Sequence, residues 1–155
     1  MDDAAWMQRA IDLAVANVAA GGGPFGALVV KDGAVVGAGG NRVTADLDPT
    51  AHAEIQAIRR ACQALGTFAL PGCVLYSSCE PCPMCLAAAH WARLERVVFA
   101  ADRHDAAAAD FDDAELYDEL SRPLTARRTP IRQLHLTTAR DPFDAWRALA
   151  DKTPY

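Results

Sequence analysis

The stretch CVLYSSCEPCPMCLAAAHWAR, residues 73–93, predicts a strand that leads through a cysteine-rich turn into a helix. The apolar run at its start is typical of a buried strand, and the alanine-rich run after Pro83 is typical of a helix. Its middle part, SSCEPCPMC, holds three of the five cysteines of the chain within nine residues. Such clustering in one short turn indicates a metal site or a catalytic thiol.

The spacing of these cysteines predicts a metal site. Cys82 and Cys85 are three positions apart, which puts both sulfurs on one face of the first helical turn. His52 precedes Cys82 by thirty residues in a second predicted helix, which can meet the first in a fold of helices and sheet. One imidazole and two thiolates form a catalytic zinc ligand set that leaves the fourth position to water. HAE at 52–54 and PCPMC match the zinc deaminase pattern, H-x-E then P-C-x-x-C, at every specified residue, with Glu54 as proton shuttle.

A second interpretation uses Cys79. Together with His52, Cys82 and Cys85 it could complete a closed Cys3His site that only stabilises the fold. Pro81 fixes the turn between strand and helix and disfavours a common face for Cys79 and the later pair, and a closed site gives Glu54 no role. Cys62 and Cys73 are expected to pack as small core residues.

The rest of the chain alternates between predicted helices and strands. Apolar residues at helical spacing predict a helix over residues 3 to 20, and FGALVVK and AVVGAGG predict a hairpin around KDG. A second helix is expected to be capped by Asp48, to carry Pro49 in its first position and to end at Gly66. RVVFAA and IRQLHLTT predict two more strands, and PFDAWRALADK predicts a last helix. This order predicts an α/β layer sandwich with about five strands.

Composition limits the function classes. The chain has 155 residues with 52% hydrophobic content, so a single domain over 1–155 is expected. A net charge of -5 and a pI near 5.2 disfavour nucleic acid as a partner, although Arg122, Arg127, Arg128 and Arg132 form a local basic stretch. No secretory signal and no membrane span are recognised, and an odd number of cysteines argues against a disulfide framework. A cytoplasmic protein with reduced thiols is expected.

With these residues in view, the chain resembles the cytidine deaminase superfamily, and within it the bacterial guanine deaminases. The similar segments follow in order along nearly the whole length: GGPFGALVVKDG, NRV, DPTAHAEIQAIRRAC, SCEPCPMC, WAR, DAAAADFDD, PF-AW and the terminal Tyr155. The resemblance implies a three-layer α/β/α sandwich with a mixed five-stranded sheet. It also implies Zn²⁺ on His52, Cys82 and Cys85, with Glu54 as the proton shuttle.

The resemblance implies further site residues. Phe25 and Trp91 would help form the pocket, Asn41 would hydrogen-bond the purine, Asp113 would bind the ring edge and Tyr155 would close over the site. The partner would be a small purine base. It also implies a homodimer that can exchange C-terminal segments, which would place Asp113 and Tyr155 in the neighbouring subunit's site.

Each of these pocket residues also has a structural interpretation. The aromatic residues could lie in the core, Asn41 could serve a turn, Asp113 could cap a helix, and a terminal Tyr155 is commonly frayed. Asp110 departs from the family pattern, where glycine is expected before FDD. If that position needs a positive φ, Asp110 can adopt it at some cost, and the loop that carries Asp113 could then differ.

The resemblance implies hydrolytic deamination of guanine to xanthine and ammonia. A tRNA adenosine deaminase is the nearest alternative, because it shares HAE and PCxxC on a chain of this size, but the eight acids between Asp102 and Glu119 disfavour RNA. Cytosine, guanosine and aminotriazines are alternative small substrates. A zinc-stapled binding module without activity is the alternative outside enzymes.

Overall fold

The computed structural model describes residues 2–155, so Met1 lies outside the described residues. The chain divides into two compact units, one ending at Tyr117 and the other comprising Asp118–Tyr155. The single domain expected over 1–155 stays a prediction. The helices are α1 (Asp3–Ala19), α2 (Val43–Asp46), α3 (Ala53–Leu65), α4 (Pro83–Trp91), α5 (Arg103–Ala108), α6 (Asp113–Ser121) and α7 (Asp141–Ala148), with a 3-10 turn at Leu124–Ala126.

The first unit contains a mixed sheet in the order β2-β1-β3-β4. Its strands are β1 (Gly26–Lys31), β2 (Ala34–Gly40), β3 (Cys73–Cys79) and β4 (Arg96–Ala101). β1 pairs antiparallel with both β2 and β3, whereas β3 and β4 are parallel. The parallel connection runs through α4, as expected for a β-α-β crossover.

Helices cover both faces of this sheet. On one face of the sheet, Ala27 and Val29 of β1 pack against α3, which contributes the small residues Ala53, Ala57 and Ala61. Leu28 and Val30, which point the other way, pack against Trp6 and Ala10 of α1. A strand that is apolar on both faces reads as a continuous apolar run, which is how LVV appears in the sequence. The three-layer α/β/α prediction is confirmed.

The β1–β2 hairpin and the end of α3 follow from local sequence. Asp32 and Gly33 form a two-residue loop in which both φ angles are positive, at 49° and 75°. That is the backbone of a type I′ turn, which Asp-Gly favours. Gly66 ends α3 at a φ of 64°, and its N–H bonds to the carbonyls of Cys62 and Gln63.

The prediction of a fifth strand is wrong. Residues 131–136 of IRQLHLTT form no strand, and every residue from 131 to 136 is exposed. A strand needs a hydrogen-bonded neighbour, and the described chain pairs only four strands. The apolar residues of this segment therefore lie at the surface of the second unit.

The predicted start of the second helix is also wrong. Asp48 does not cap α3; its carboxylate accepts hydrogen bonds from the N–H and the hydroxyl of Thr50 at 2.8 and 2.7 Å. This Asx turn separates Pro49 from the helix, which begins at Ala53 with His52 as its N-cap residue. The correction moves His52 from the first turn of the predicted helix to its N-cap position.

The second unit, Asp118–Tyr155, has little interior of its own. No residue of this range is buried. Large apolar side chains are exposed along it, namely Leu120, Leu124, Ile131, Leu134, Leu136, Phe143, Trp146, Leu149 and Tyr155. Within residues 2–155, no helix has the length and apolar character required to cross a membrane.

We predict that Gly26→Ala destabilises the fold. A Cβ at this position would lie 2.5 Å from the carbonyl oxygen of Ala10 and 2.6 Å from the backbone nitrogen of Ala14, so α1 would have to move. We expect the free energy of unfolding in urea to fall by about 1–3 kcal/mol. Ala34→Ser, at the exposed first residue of β2, is the control and should change it by less than about 0.5 kcal/mol. Equal stability of the two variants would contradict close packing of α1 on β1.

Candidate metal centre and substrate cavity

Two helices begin at the same place in the first unit. His52 is the N-cap residue of α3 and Cys82 is the N-cap residue of α4, both with extended backbone. Pro83 occupies the first position of α4, and Cys85 lies in its first turn. Free N–H groups and the positive end of each helix dipole therefore surround these side chains and favour thiolate and other negative charge.

The geometry of His52, Cys82 and Cys85 fits a zinc ion. Their ligand atoms all lie within 4.8 Å of one another. Nδ1 of His52 is 3.5 Å from Sγ of Cys82 and 3.6 Å from Sγ of Cys85. In a tetrahedral zinc site, ordinary Zn–N and Zn–S bond lengths put such a nitrogen and sulfur about 3.6 Å apart. Both thiols are buried, and the donor set is one that zinc prefers.

The three groups also perturb one another electrostatically. Hydrogen bonds from Cys85 and His52 lower the pKa of Cys82 to about 4. The hydrogen bond to Cys82 raises the pKa of His52. The pKa of Cys85 is raised because its thiol donates to Cys82 and is buried. The arrangement thus stabilises a thiolate beside positive charge, which a bound dication would supply more strongly.

Cys79 does not join this group. Its thiol donates to the carbonyl oxygen of Asp102 at 3.7 Å, and burial raises its pKa to about 12. The geometry therefore gives no support to a closed Cys3His site. Cys73 is buried in the core and Cys62 packs against it, in agreement with the sequence interpretation.

A cavity of about 450 Å³ opens beside the metal-binding group, which consists of His52, Cys82 and Cys85. This is within the usual size range of small-molecule sites. Its polar side chains are those of Asn41, Thr44, His52, Glu54, Glu80 and Asp113, and its walls also include Gly21, Gly22, Gly23, Phe25, Val43, Pro49, Cys82 and Phe111. Phe25, Asn41, Asp113 and Glu54 of the predicted site therefore line the same cavity as His52 and Cys82.

The three carboxylates of the cavity lie in different environments. Glu54 is only 6% exposed, and burial raises its pKa. Burial likewise raises the pKa of Asp113, at the first residue of α6. Hydrogen bonds from Arg103 instead lower the pKa of Glu80. Burial thus favours the protonated form of Glu54 and Asp113, whereas Arg103 favours the charged form of Glu80.

Asn41 is held in place by an amide that sequence reasoning missed. Nδ2 of Asn17 donates to the carbonyls of Gly23 and Asn41 at 2.7 and 3.0 Å. Any Cβ at Gly22 or Gly40 would collide with the Asn17 side chain, so these glycines make room for it. Oδ1 of Asn41 accepts from the N–H of Val43 at 3.2 Å, which fixes the amide at the cavity wall. The only sequence signal was an asparagine on the apolar side of a helix.

Phe111 is a cavity residue that the sequence interpretation did not single out. Its ring meets that of Phe25 edge-on, with centroids 4.8 Å apart and an interplanar angle of 80°. It comes directly before the Asp112–Asp113 pair, so the FDD motif contains two cavity residues. An aromatic pair in this geometry forms a flat apolar wall suited to a planar ring.

Asp110 adopts a φ of 68°, the left-handed conformation that glycine adopts without strain. The loop to Asp113 thus keeps the backbone that the expected glycine would give. Aspartate tolerates this region better than most residues, at a modest cost.

Two predicted site residues lie elsewhere. Trp91, at the end of α4, is 61% exposed, and Arg93 lies 6.0 Å from its ring centre. It is not among the described residues that line the cavity. Tyr155 belongs to the second unit, where its ring meets Trp146 edge-on at 6.5 Å. The substrate roles of both residues stay predictions.

Comparison with known proteins decides the family. The cytidine and deoxycytidylate deaminase zinc-binding region matches residues 1–101, which include every residue of the metal-binding group and Glu54. The chain belongs to this family. Within the family, a guanine deaminase from Bacillus subtilis (strain 168) is 51% identical over 156 residues, covering 100% of both chains.

A solved structure and a shorter match complete the comparison. The X-ray structure of guanine deaminase from Bacillus subtilis superposes with a TM-score of 0.97 at 51% identity, covering 100% of this chain and 99% of that one. A tRNA-specific adenosine deaminase from Agrobacterium fabrum is also 51% identical, but over only 78 residues, 50% of this chain and 51% of the relative. Similarity to the guanine deaminase thus continues through the last third of the chain.

We predict that zinc content distinguishes Cys82, as a zinc ligand, from Cys79. Cys82→Ser should purify with less than roughly a tenth of the wild-type zinc, because it removes one of only three protein ligands. Cys79→Ser, the matched control in the same turn, should keep about one zinc per chain. Elemental analysis of both proteins by mass spectrometry is the measurement. Loss of zinc from Cys79→Ser as well as from Cys82→Ser would restore the closed-site interpretation.

Proposed function

We propose that this protein is a zinc-dependent aminohydrolase that converts guanine and water into xanthine and ammonia. The end-to-end similarity to a guanine deaminase, at 51% identity with both chains fully covered, carries the proposal. The structure adds a cavity lined by His52 and Cys82 of the zinc-type ligand set, by the buried Glu54 and by four further polar side chains.

In the proposed reaction, water attacks C2 of guanine. His52, Cys82 and Cys85 would hold the zinc ion, which when bound would lower the pKa of water to near 7 and so supply a nucleophile at neutral pH. Glu54 accepts a proton from the attacking water as the C2–O bond forms, and delivers it to a ring nitrogen next to C2. It then moves the remaining hydroxyl proton to the amino nitrogen, so that the C2–N bond breaks, the C2 carbonyl forms and ammonia leaves.

The other cavity residues hold the base. Asn41 lies at the wall with its carbonyl oxygen engaged by Val43, so its NH2 group is oriented to donate to the purine. Asp113 accepts hydrogen bonds from N–H groups along the ring edge, and the aromatic rings of Phe25 and Phe111 bound the apolar space beside it. Trp91 and Tyr155 complete the site in this proposal, as the family resemblance implies.

Similarity and charge favour a free base over tRNA. The tRNA-specific relative matches only half of this chain. The basic stretch is also engaged internally: Arg122 pairs with Glu119 at 3.3 Å, and Arg127 donates to the carbonyls of Leu120 and Arg122. Phosphate binding would have to compete with these contacts.

The substrate is tested by an ammonia-release screen. Guanine, guanosine, adenine, cytosine, an aminotriazine and tRNA are each incubated with protein whose zinc content is measured on the same sample. We expect guanine to give the highest kcat/KM. Release only from tRNA would reverse the substrate assignment, and no release from any compound by zinc-loaded protein would favour the binding module.

We predict that Glu54→Gln keeps zinc and fold but loses turnover by roughly 10²–10⁴-fold or more, because an amide cannot carry the proton. Ammonia release, zinc content and thermal unfolding are measured together. Glu95→Gln, an exposed glutamate before β4, is the control and should keep wild-type turnover. Retained activity in Glu54→Gln would remove Glu54 from the proposed mechanism.

We also propose a homodimer in which the segments after Tyr117 are exchanged, whereas Asp113 lines the cavity of its own chain, contrary to the expectation that it enters the neighbouring site. An isolated piece shorter than about 40 residues rarely buries enough surface to be stable. Asp118–Tyr155 has no buried residue and exposes many large apolar side chains. Surfaces of this kind mark protein interfaces, and a second copy of the chain is the partner that the family resemblance implies.

Complementation tests the exchange. We predict that deleting Tyr155 lowers guanine turnover by roughly tenfold, through lost transition-state contacts, while zinc is retained. A heterodimer of the Tyr155-deleted chain and Glu54→Gln, purified through two different tags, should then regain about half of the wild-type activity, because one of its two sites combines Glu54 with the partner's intact segment. Without exchange, no site holds both groups and activity stays low.

The cytoplasm is the proposed compartment. Cys82 and Cys85 bind metal only as thiolates, so an oxidising compartment would compete for the site by forming disulfides. All five cysteines are free in the structure.

A further inference from the structure

Tyr117 joins α6 to the metal-binding turn, residues 80–82, which connects β3 to α4. Its hydroxyl donates to the carbonyl oxygen of Pro81 at 2.6 Å. Pro81 directly precedes Cys82, so this bond holds the turn at the residue before a metal-binding thiol. The phenol is half-buried, which shields the bond from competing water.

Arg103 links the same tyrosine to Glu80. Its guanidinium carbon lies 3.5 Å from the centre of the Tyr117 ring. Nη2 donates to Oε1 of Glu80 at 2.7 Å, Nε lies 3.2 Å from both carboxylate oxygens, and the backbone N–H of Arg103 donates to Oε2 at 2.9 Å. The planar guanidinium thus stacks on one neighbour and binds the other through its edge, which lysine cannot do.

These contacts define a clamp, composed of Glu80, Arg103 and Tyr117. Glu80 and Pro81 belong to the metal-binding turn, Arg103 is the first residue of α5, and Tyr117 is on α6. Asp113 lies four positions before Tyr117 on α6, so the two share one face of that helix. A shift of Tyr117 against Pro81 therefore moves Asp113 against Cys82.

We propose that Tyr117 is a positioning residue that fixes the distance between Asp113 and the metal-binding turn, and thereby the affinity for the purine base. The proposal rests on the proposed function, since Asp113 is taken to hold the ring edge. Tyr117 touches neither the base nor the metal-binding side chains in this scheme. Its effect belongs to KM more than to kcat, because the groups that move protons stay in place.

Tyr117→Phe tests this with the loss of one oxygen atom. The ring still stacks under Arg103, while the bond to Pro81 is gone. Losing a hydrogen bond of ordinary strength should raise KM for guanine by about three- to tenfold. We expect kcat to change by less than about twofold and zinc content to be unchanged.

Tyr76→Phe is the matched control. The Tyr76 hydroxyl also donates at 2.6 Å, to Oδ1 of Asp3, and its ring is buried on the α1 side of the sheet. Tyr76 does not line the cavity in the described part of the chain. Both variants should lose thermal stability to a similar extent, but only Tyr117→Phe should raise KM.

A binding measurement adds a readout independent of turnover. In the Glu54→Gln background, calorimetry should show that adding Tyr117→Phe weakens the binding of guanine by about three- to tenfold. Arg103→Lys should weaken binding in the same direction, and combining it with Tyr117→Phe should add less than the two single effects together.

The outcomes separate this proposal from the proposed function. If the wild-type protein neither turns over nor binds guanine, the proposed function fails, and the clamp fails with it. If the wild-type protein is active and Tyr117→Phe keeps the wild-type KM and affinity, only the clamp is overturned. An equal rise of KM in Tyr76→Phe would reduce the Tyr117 effect to general destabilisation and would also overturn it.

Discussion

The close packing of α3 on the sheet is the constraint on which the site depends. Gly37 in β2 has no side chain because a Cβ there would collide with the carbonyl oxygen of Ala57 in α3. Ala53, Ala57 and Ala61 repeat at helical spacing and bring α3 against the same face of the sheet. β3 then leads directly into α4, so the starts of both helices meet beside it. His52 and Cys82 approach to 3.5 Å because backbone packing, not a flexible loop, sets their separation.

Chemically similar groups lie in different environments in this site. Glu54 and Glu80 are both glutamates lining one cavity, yet burial acts on the first and an arginine on the second. Burial favours the neutral form of a carboxyl group, whereas a guanidinium bound to it favours the charged form. The cysteines divide similarly, because Cys82 faces His52 while Cys79 faces a backbone carbonyl. Neither the difference between the two glutamates nor that between the two cysteines can be read from the sequence alone.

Sequence patterns predicted the metal-binding group, the hairpin and an α/β layer fold, because each depends on spacing along one or two elements, whereas the three layers were implied by the family resemblance. The start of α3 was missed, since Asp48 can either cap a helix or close an Asx turn, and only the bond to Thr50 decides between them. The segment IRQLHLTT alternates well enough for a strand, but strand formation depends on a partner that sequence does not specify. Asn17 and Tyr117 were missed because their partners, Asn41 and Pro81, lie 24 and 36 residues away.

The residues of the proposed site come from both sides of residue 101. The family match ends at residue 101 and includes the whole metal-binding group and Glu54. A relative that matches only half of the chain carries a different substrate in its name, tRNA adenosine. Phe111, Asp113 and Tyr117 come after residue 101. Phe111 reaches the cavity from the loop before α6, Asp113 lines the cavity from the first residue of α6, and Tyr117 of α6 contacts the metal-binding turn. In the proposed reaction, amidine hydrolysis depends on the three zinc ligands and Glu54, all of which lie before residue 101. The proposed contacts to the base come from both parts of the chain, because Phe25 and Asn41 line the cavity together with Phe111 and Asp113. The later residues can hold the base only if α6 keeps its place beside the metal-binding turn, and the hydrogen bond from Tyr117 to Pro81 is the contact that joins the two.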